Sequence, residues 1–444
     1  MKTVTVYFAK PMGKMKPMHA VNNGPVYKFA EDQRITNLPA YKAAGIPYAR
    51  NHDASFFNTY GGNHTVDVDF IFTDFDADPY DPSSYDFICT DEYIRATEAA
   101  GTRTFYRLGS RIEHGPKKYN TLPPKDFHKW AVICEHIIRH YTEGWADGFR
   151  YDMEYWEIWN EPDLDPDDAA DKRTWGGTEK QFFELYDIAA RHLKEKFPHL
   201  KIGGPAMASV KENGWAERFL QQLTAPLDFF SWHVYAWNTD KVIEKVLLAR
   251  QLLDKYGFTE TESILNEWNY VKSFLGDDWL YSLRMEKSLK GAAFVGAVMC
   301  ACQKLPLDML MYYDARPCGM NGMFSTDFVC DCLKGYYPFY MFNTLYRLGT
   351  EVESTGDGDV YICAARNDNE GAVMLSRFCV EDNEEAEDVQ IGLTGFGPCK
   401  AELYLLDENN DLALVRTEHF AGGTTEFPLN ITPQASYLLK LKKV

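Results

Sequence analysis

The feature that most constrains this chain is an alternation. Between residues 18 and 348, short runs that read as strands trade places with helical patterns or long loops eight times. The strand-like runs are 18–26, 46–50, 102–108, 154–160, 201–204, 227–235, 262–266 and 308–313. Helices are predicted over 35–44, from Thr90 to Gly101, and over 126–143, 178–197, 213–223, 240–256, 285–304 and 335–348. In 126–143, Phe127, Trp130, Ile133, Ile137, Ile138 and Tyr141 recur at helical spacing. A helix after each strand carries the chain back to the sheet's starting edge, so the strands are parallel. Eight such units predict an α/β fold, a closed (β/α)8 TIM barrel over residues 16–349. A doubly wound open sheet is the rival, weakened because no Gly-rich phosphate turn follows the first strand.

After residue 350 the pattern changes. Segments 360–364, 371–378, 388–393, 401–406, 412–415 and 436–441 alternate apolar and polar residues, separated by turns such as Asn409-Asn410-Asp411. This predicts an all-β sandwich over 350–444. An N-terminal strand in residues 1–15 alternates over 2–8 and is expected to join that sandwich.

Charge and cysteine usage exclude several function classes. The formal charge of −19 argues against nucleic acid and against an anionic membrane. No run of about 18 apolar residues exists, so no transmembrane helix is predicted. The apolar core of the N-terminus is too short for a signal peptide. The ten cysteines contain no C-x-x-C pair, which predicts free thiols and a cytoplasmic location. Segment 54–85 is too polar for a core and reads as a functional loop. Its Asp74, Asp76, Asp78 and Asp81 have the spacing of a calcium loop without that loop's Gly and distal Glu, so a solvated or pocket-rim loop is expected. No metal and no cofactor are predicted.

Barrel enzymes build their sites at the C-terminal ends of the strands. Here those ends carry Asn22 and Asn23, Arg50 and His52, Arg107, Asn160 and Glu161, His233 and Tyr235, Glu267, and Tyr312, Tyr313 and Asp314. Glu161 closes the run Tyr155-Trp156-Glu157-Ile158-Trp159-Asn160-Glu161, and alone it reads equally well as a strand-end cap. Glu267 supplies a partner. Both carboxylates follow an asparagine, on strands four and seven, which face each other across the barrel. Two converging carboxylates are what glycoside hydrolysis requires. Glu157 alternates with Ile158 and is expected inside the barrel as a structural group.

Trp159-Asn160-Glu161-Pro162 and Leu265-Asn266-Glu267-Trp268-Asn269 resemble the acid/base and nucleophile motifs of the retaining (β/α)8 glycoside hydrolases. With a sandwich after the barrel, the chain is most similar to glycoside hydrolase family 39, over nearly its whole length. The resemblance implies that Glu161 is the general acid/base and Glu267 the nucleophile. It implies that Asn160 binds the sugar 2-hydroxyl, that His233 and Tyr235 hold the nucleophile and line the subsite, and that Arg50 keeps the nucleophile ionised. Trp159 and Tyr155 are expected as the apolar wall that keeps Glu161 protonated. His52, His114, Trp268, Tyr313 and Asp314 complete the expected substrate contacts. The partner is an oligosaccharide, cleaved in xylosidase-like fashion, and the resemblance suggests homo-oligomers. The strand-eight end, Met311-Tyr312-Tyr313-Asp314-Ala315-Arg316-Pro317, departs from the family's xylosidases and leaves arabinose- or galactose-containing substrates open. The rival classes are an inverting hydrolase and a non-catalytic carbohydrate-binding barrel.

Overall fold

The computed structural model describes residues 1–27, 36–54, 64–326 and 330–444. The N-terminal strand β1 (Lys2–Lys14) precedes a closed barrel. The barrel strands are β2 (Ala20–Asn22), β3 (Tyr48–Arg50), β4 (Arg103–Leu108), β5 (Tyr155–Ile158), β6 (Lys201–Met207), β7 (Phe229–Ala236), β8 (Glu262–Tyr270) and β9 (Met309–Tyr312). Each pairs in parallel with the next, and β9 closes on β2. Outside lie α1 (Leu38–Ala43), α2 (Val68–Ile71), α3 (Ile88–Ala99), α4 (Phe127–Thr142), α5 (Glu179–Lys196), α6 (Trp215–Gln222), α7 (Thr239–Lys255), α8 (Gly276–Glu286), α9 (Leu289–Gln303) and α10 (Tyr337–Leu348). Ile35, expected to open the first helix, and residues 55–63 of the long polar loop lie outside the described residues.

Strand alternation sorts side chains into two environments. On β5, Trp156 and Ile158 face outward into the main core with the helices, whereas Tyr155 and Glu157 face the barrel interior. The barrel floor is apolar, packed with Ala20, Phe105, Tyr155, Phe229, Ile264, Met309 and Met311. Above it the interior turns polar. Arg50, Glu157, Ser231 and Asn266 are all completely buried there. A charged layer is tolerable in this position only because each member is partnered.

The C-terminal strands are β10 (Thr350–Thr355), β11 (Val360–Arg366), β12 (Glu370–Arg377), β13 (Glu387–Thr394), β14 (Cys399–Leu406), β15 (Asp411–Phe420), β16 (Thr424–Ile431) and β17 (Ser436–Lys443). With β1 they form one hydrogen-bonded sheet in the order β15-β14-β17-β12-β11-β10-β1-β13-β16. The sheet folds over itself around Val6, Phe8, Ile391, Leu403 and Leu439. Its two edge strands meet through Phe420 and Phe427, with ring centroids 6.0 Å apart. β1 sits between β10 and β13, so the first residues of the chain are central to the last domain. Helix α9 docks closely on this sheet: a side chain at Gly296 would stand 2.8 Å from Ser376 Oγ, and the rings of Phe294 and Phe378 pack at 5.3 Å.

Candidate active site

The site begins with the Arg50–Glu157 pair below it. Arg50 Nε donates to Glu157 at 2.6 Å. Glu157 also accepts from Ser231 Oγ at 2.6 Å and Asn266 Nδ2 at 2.5 Å. The rest of the guanidinium points upward, to Glu267 Oε1 at 2.8 Å, Asn160 Oδ1 at 2.6 Å and Asn22 Oδ1 at 3.1 Å. One buried cation therefore fixes residues from β2, β5, β8 and the loop after β5.

Local backbone geometry aims the two carboxylates. On β8 the pairing with β9 slips between Leu265 and Trp268. That irregularity turns both Asn266 and Glu267 inward, where strict alternation would admit only one. After β5 the chain reverses through left-handed conformations at Trp159 (φ 75°) and Glu161 (φ 48°). Glu161 N–H donates to Ala206 O at 2.8 Å, and Thr174 Oγ1 donates to Glu161 O at 2.6 Å. A side chain on Gly109 would stand 3.1 Å from the Trp159 backbone, so this close approach requires the glycine.

Glu161 and Glu267 converge. A ligand atom from each, together with one from His233, lies within 4.8 Å of the others. His233 Nδ1 is 2.7 Å from Glu161 Oε1 and 3.5 Å from Glu267 Oε2. It therefore holds Glu161 more closely than the nucleophile position it was expected to hold. On distance alone the three residues could ligate a cation, but the Arg50 guanidinium already sits against Glu267 and supplies positive charge. Tyr235 donates its hydroxyl to Glu267 Oε2 at 2.9 Å.

The surroundings of the two acids differ. Burial pushes the Glu161 carboxyl up to about 7, which Arg50 and Arg173 only partly oppose. Burial also raises Glu267, against the pull of His233 and Arg50. Glu267 alone receives the direct guanidinium and phenol hydrogen bonds, so it gives up its proton first. Burial holds His233 near 4, and the imidazole is neutral at pH 7.

Other expected residues scatter. His52 lies beside the pair, its Nε2 3.8 Å from Glu267 Oε1. Tyr313 reaches Asp53 at 2.5 Å and stands 6.4 Å, ring to ring, from Tyr235. Asp314 does not face the pocket: its oxygens accept the Arg316 backbone N–H and guanidinium, an ion pair that fixes the loop after β9. Trp268 is also a correction. Next to the inward Glu267 it must point outward, and it packs on Phe294 of α9 and on Tyr312. His114 is exposed on the loop after β4, unlike the buried cluster. The expected apolar wall is different too. Trp159 turns into the helix layer beside Trp175, and Tyr155 sits on the barrel floor bonded to Glu262. Of the four loop aspartates, Asp74, Asp78 and Asp81 each accept a backbone N–H two residues on, which is turn chemistry. Asp53, His64 and Arg316 join the cluster without having been singled out. Adjacency to Arg50 and His52 was the available signal for Asp53, and membership of the divergent strand-eight end was the signal for Arg316.

The family model for glycosyl hydrolases family 39 matches residues 41–271, a span that contains Arg50, Glu157, Asn160, Glu161, His233, Tyr235 and Glu267. A β-xylosidase of Geobacillus stearothermophilus is 31% identical over 168 residues, covering 34% of this chain and 31% of that protein. A β-xylosidase of Caldicellulosiruptor saccharolyticus is 25% identical over 342 residues, covering 70% of this chain and 64% of that protein. The chain thus spans less than two thirds of either relative. Among solved structures, a glucosidase from Croceicoccus marinus superposes with a TM-score of 0.81 at 22% identity, over 100% of this chain and 99% of that one. The match to more than half of the residues places the chain in glycosyl hydrolases family 39.

Proposed function

We propose that this protein is a retaining glycoside hydrolase that removes terminal sugars from plant-type oligosaccharides, with β-xylosidase-like specificity. The observation that carries the reading is the Glu161–Glu267 pair, close together and unlike in surroundings. Carboxyls about 5 Å apart leave no room for a water between the second carboxylate and the anomeric carbon, as an inverting enzyme needs, and favour double displacement.

In the first step the Glu267 carboxylate attacks the anomeric carbon while Glu161 gives its proton to the departing oxygen. The glycosidic bond breaks and a glycosyl ester forms on Glu267. Ester formation removes a negative charge beside Glu161, which lowers the affinity of Glu161 for a proton. Glu161 then takes a proton from water, and that water displaces Glu267. Asn160 supports substrate binding: Arg50 holds its Oδ1, and its buried Nδ2, without a partner among the described residues, suits a sugar hydroxyl. Tyr235 and Arg50 keep Glu267 anionic between turnovers.

The test is a pair of variants assayed on aryl β-xylosides, α-arabinosides and β-galactosides. Glu267→Ala is expected to abolish turnover. Glu161→Ala is expected to retain slow turnover that azide accelerates, giving a glycosyl azide of retained configuration. Wild-type kinetics in both variants would sink the assignment.

A further inference from the structure

A second buried carboxylate lies across His52 from Glu267, and the double displacement does not use it. Asp53 is 4% exposed. Its Oδ2 accepts from the Tyr313 hydroxyl at 2.5 Å and from Arg316 at 3.3 Å. Its Oδ1 is different: His52 Nε2 stands at 3.9 Å and His64 Nε2 at 3.8 Å, both too far for a hydrogen bond. Among the described residues no donor reaches that oxygen. His52 Nε2 is also the atom 3.8 Å from Glu267, so the open oxygen is one imidazole away from the attacking group.

The atoms around it are unpartnered as well. Among the described residues, His52 Nδ1, both nitrogens of His64 and, beside Arg50, Asn160 Nδ2 are buried without a hydrogen-bond partner. Buried polar atoms are rarely left so, and these four mark where a hydroxyl-rich ligand completes the bonding. Burial opposes ionisation of Asp53, but the Arg316 guanidinium and the Tyr313 hydroxyl hold its carboxyl below the usual carboxylate range. Burial also keeps both imidazoles neutral, so Arg316 is the full positive charge in that set. The pocket wall is therefore a fixed anion flanked by two neutral rings that can donate or accept.

We propose that Asp53 is a specificity-determining residue: its Oδ1 accepts hydrogen bonds from neighbouring hydroxyls of the terminal sugar, on the side of the ring away from the cleaved bond, the 3- and 4-positions. The proposal rests on the reading of Glu161 and Glu267 as the hydrolytic pair. A carboxylate accepts two adjacent hydroxyls well, and it repels a second carboxylate. The substrate class is thus a neutral sugar with free 3- and 4-hydroxyls, and uronic acids are rejected.

The test is a cycle of variants against substrates. kcat/KM is measured for wild type, Asp53→Asn and Asp53→Glu on the aryl glycoside that wild type cleaves fastest and on its 3-deoxy and 4-deoxy forms. Both variants are expected to lose about 10- to 150-fold on the parent, the range for hydrogen bonds to a charged group. That loss is expected to shrink by about tenfold or more on at least one deoxy form. Thermal unfolding identifies a variant that does not fold; Asp53→Glu keeps the charge opposite Arg316 and carries the test if the Asn variant fails. Losses equal on all three substrates to within about twofold, as for independent changes, overturn the proposal and leave Asp53 a support for Arg316 and Tyr313. A wild type inactive on every aryl glycoside overturns the hydrolase reading itself, whereas an active wild type with a flat cycle overturns only the role of Asp53.

Discussion

Tyr235→Phe isolates one hydrogen bond of the site. The phenol donates to Glu267 Oε2 at 2.9 Å, and the ring packs edge-on against Phe274 at 5.3 Å and near Tyr313 at 6.4 Å. Phenylalanine keeps those ring contacts and deletes only the donor. A hydrogen bond to a charged group contributes roughly 1.5–3 kcal/mol. It favours the ionised form of Glu267, so its loss raises the Glu267 pKa by about 1–2 units at about 1.4 kcal/mol per unit. In the pH profile of kcat/KM, the acid limb follows Glu267 and the alkaline limb follows Glu161, whose carboxyl sits at about 7. The acid limb is expected to move up by about 1–2 pH units toward an unmoved alkaline limb, so the bell narrows and its maximum falls. Rates on an activated aryl glycoside across a pH series measure this, with thermal unfolding as the control for fold. An acid limb that stays in place would refute the assignment of Glu267 as the group that must be ionised.

Two further outcomes concern stability. Glu161 rises from 4.5 to about 7 in the fold, so its protonated form is favoured: the stabilisation is complete below the unfolded value and is lost as pH climbs through 7. Glu161→Gln stays neutral and is expected to exceed wild type at pH 8 by up to about 3 kcal/mol, and to match it near pH 4. Urea unfolding at both values checks this, and the same difference at both would contradict it. Deletion of residues 1–14 removes β1 from between β10 and β13, exposing two strand edges and the seats of Val4, Val6 and Phe8. The truncated chain is expected to aggregate rather than yield a free barrel, as size-exclusion chromatography reads; a soluble, cooperatively folded product would show that β1 is dispensable.

Much of this architecture was legible because period and position carry it. Alternation along 154–160 put Glu157 inside the barrel, where it binds Arg50, Ser231 and Asn266. Order along the chain put Glu161 and Glu267 at the ends of the fourth and seventh barrel strands. The misses have physical causes. Trp268 faces outward because the β8 irregularity spends two consecutive residues on the interior, and a bulge leaves no mark in an alternating pattern. β16 went unread because Pro428 argues against a strand; it is tolerated because β16 is an edge of its sheet. β10 offered little apolar alternation around Val352, and α8 buries only Ser282 and Glu286, so neither shows the usual periodicity. The Asp53 corner joins residues 263 positions apart in sequence. Only the closed barrel brings them together.

The central claim is that Glu161 and Glu267 act in two successive displacements. Proton NMR of the first product formed from an aryl glycoside, recorded before mutarotation, tests it most directly. The account predicts that the first-formed sugar has the anomeric configuration of the substrate. The opposite anomer would mean a single displacement by water and would contradict the account, however close the two carboxylates stand.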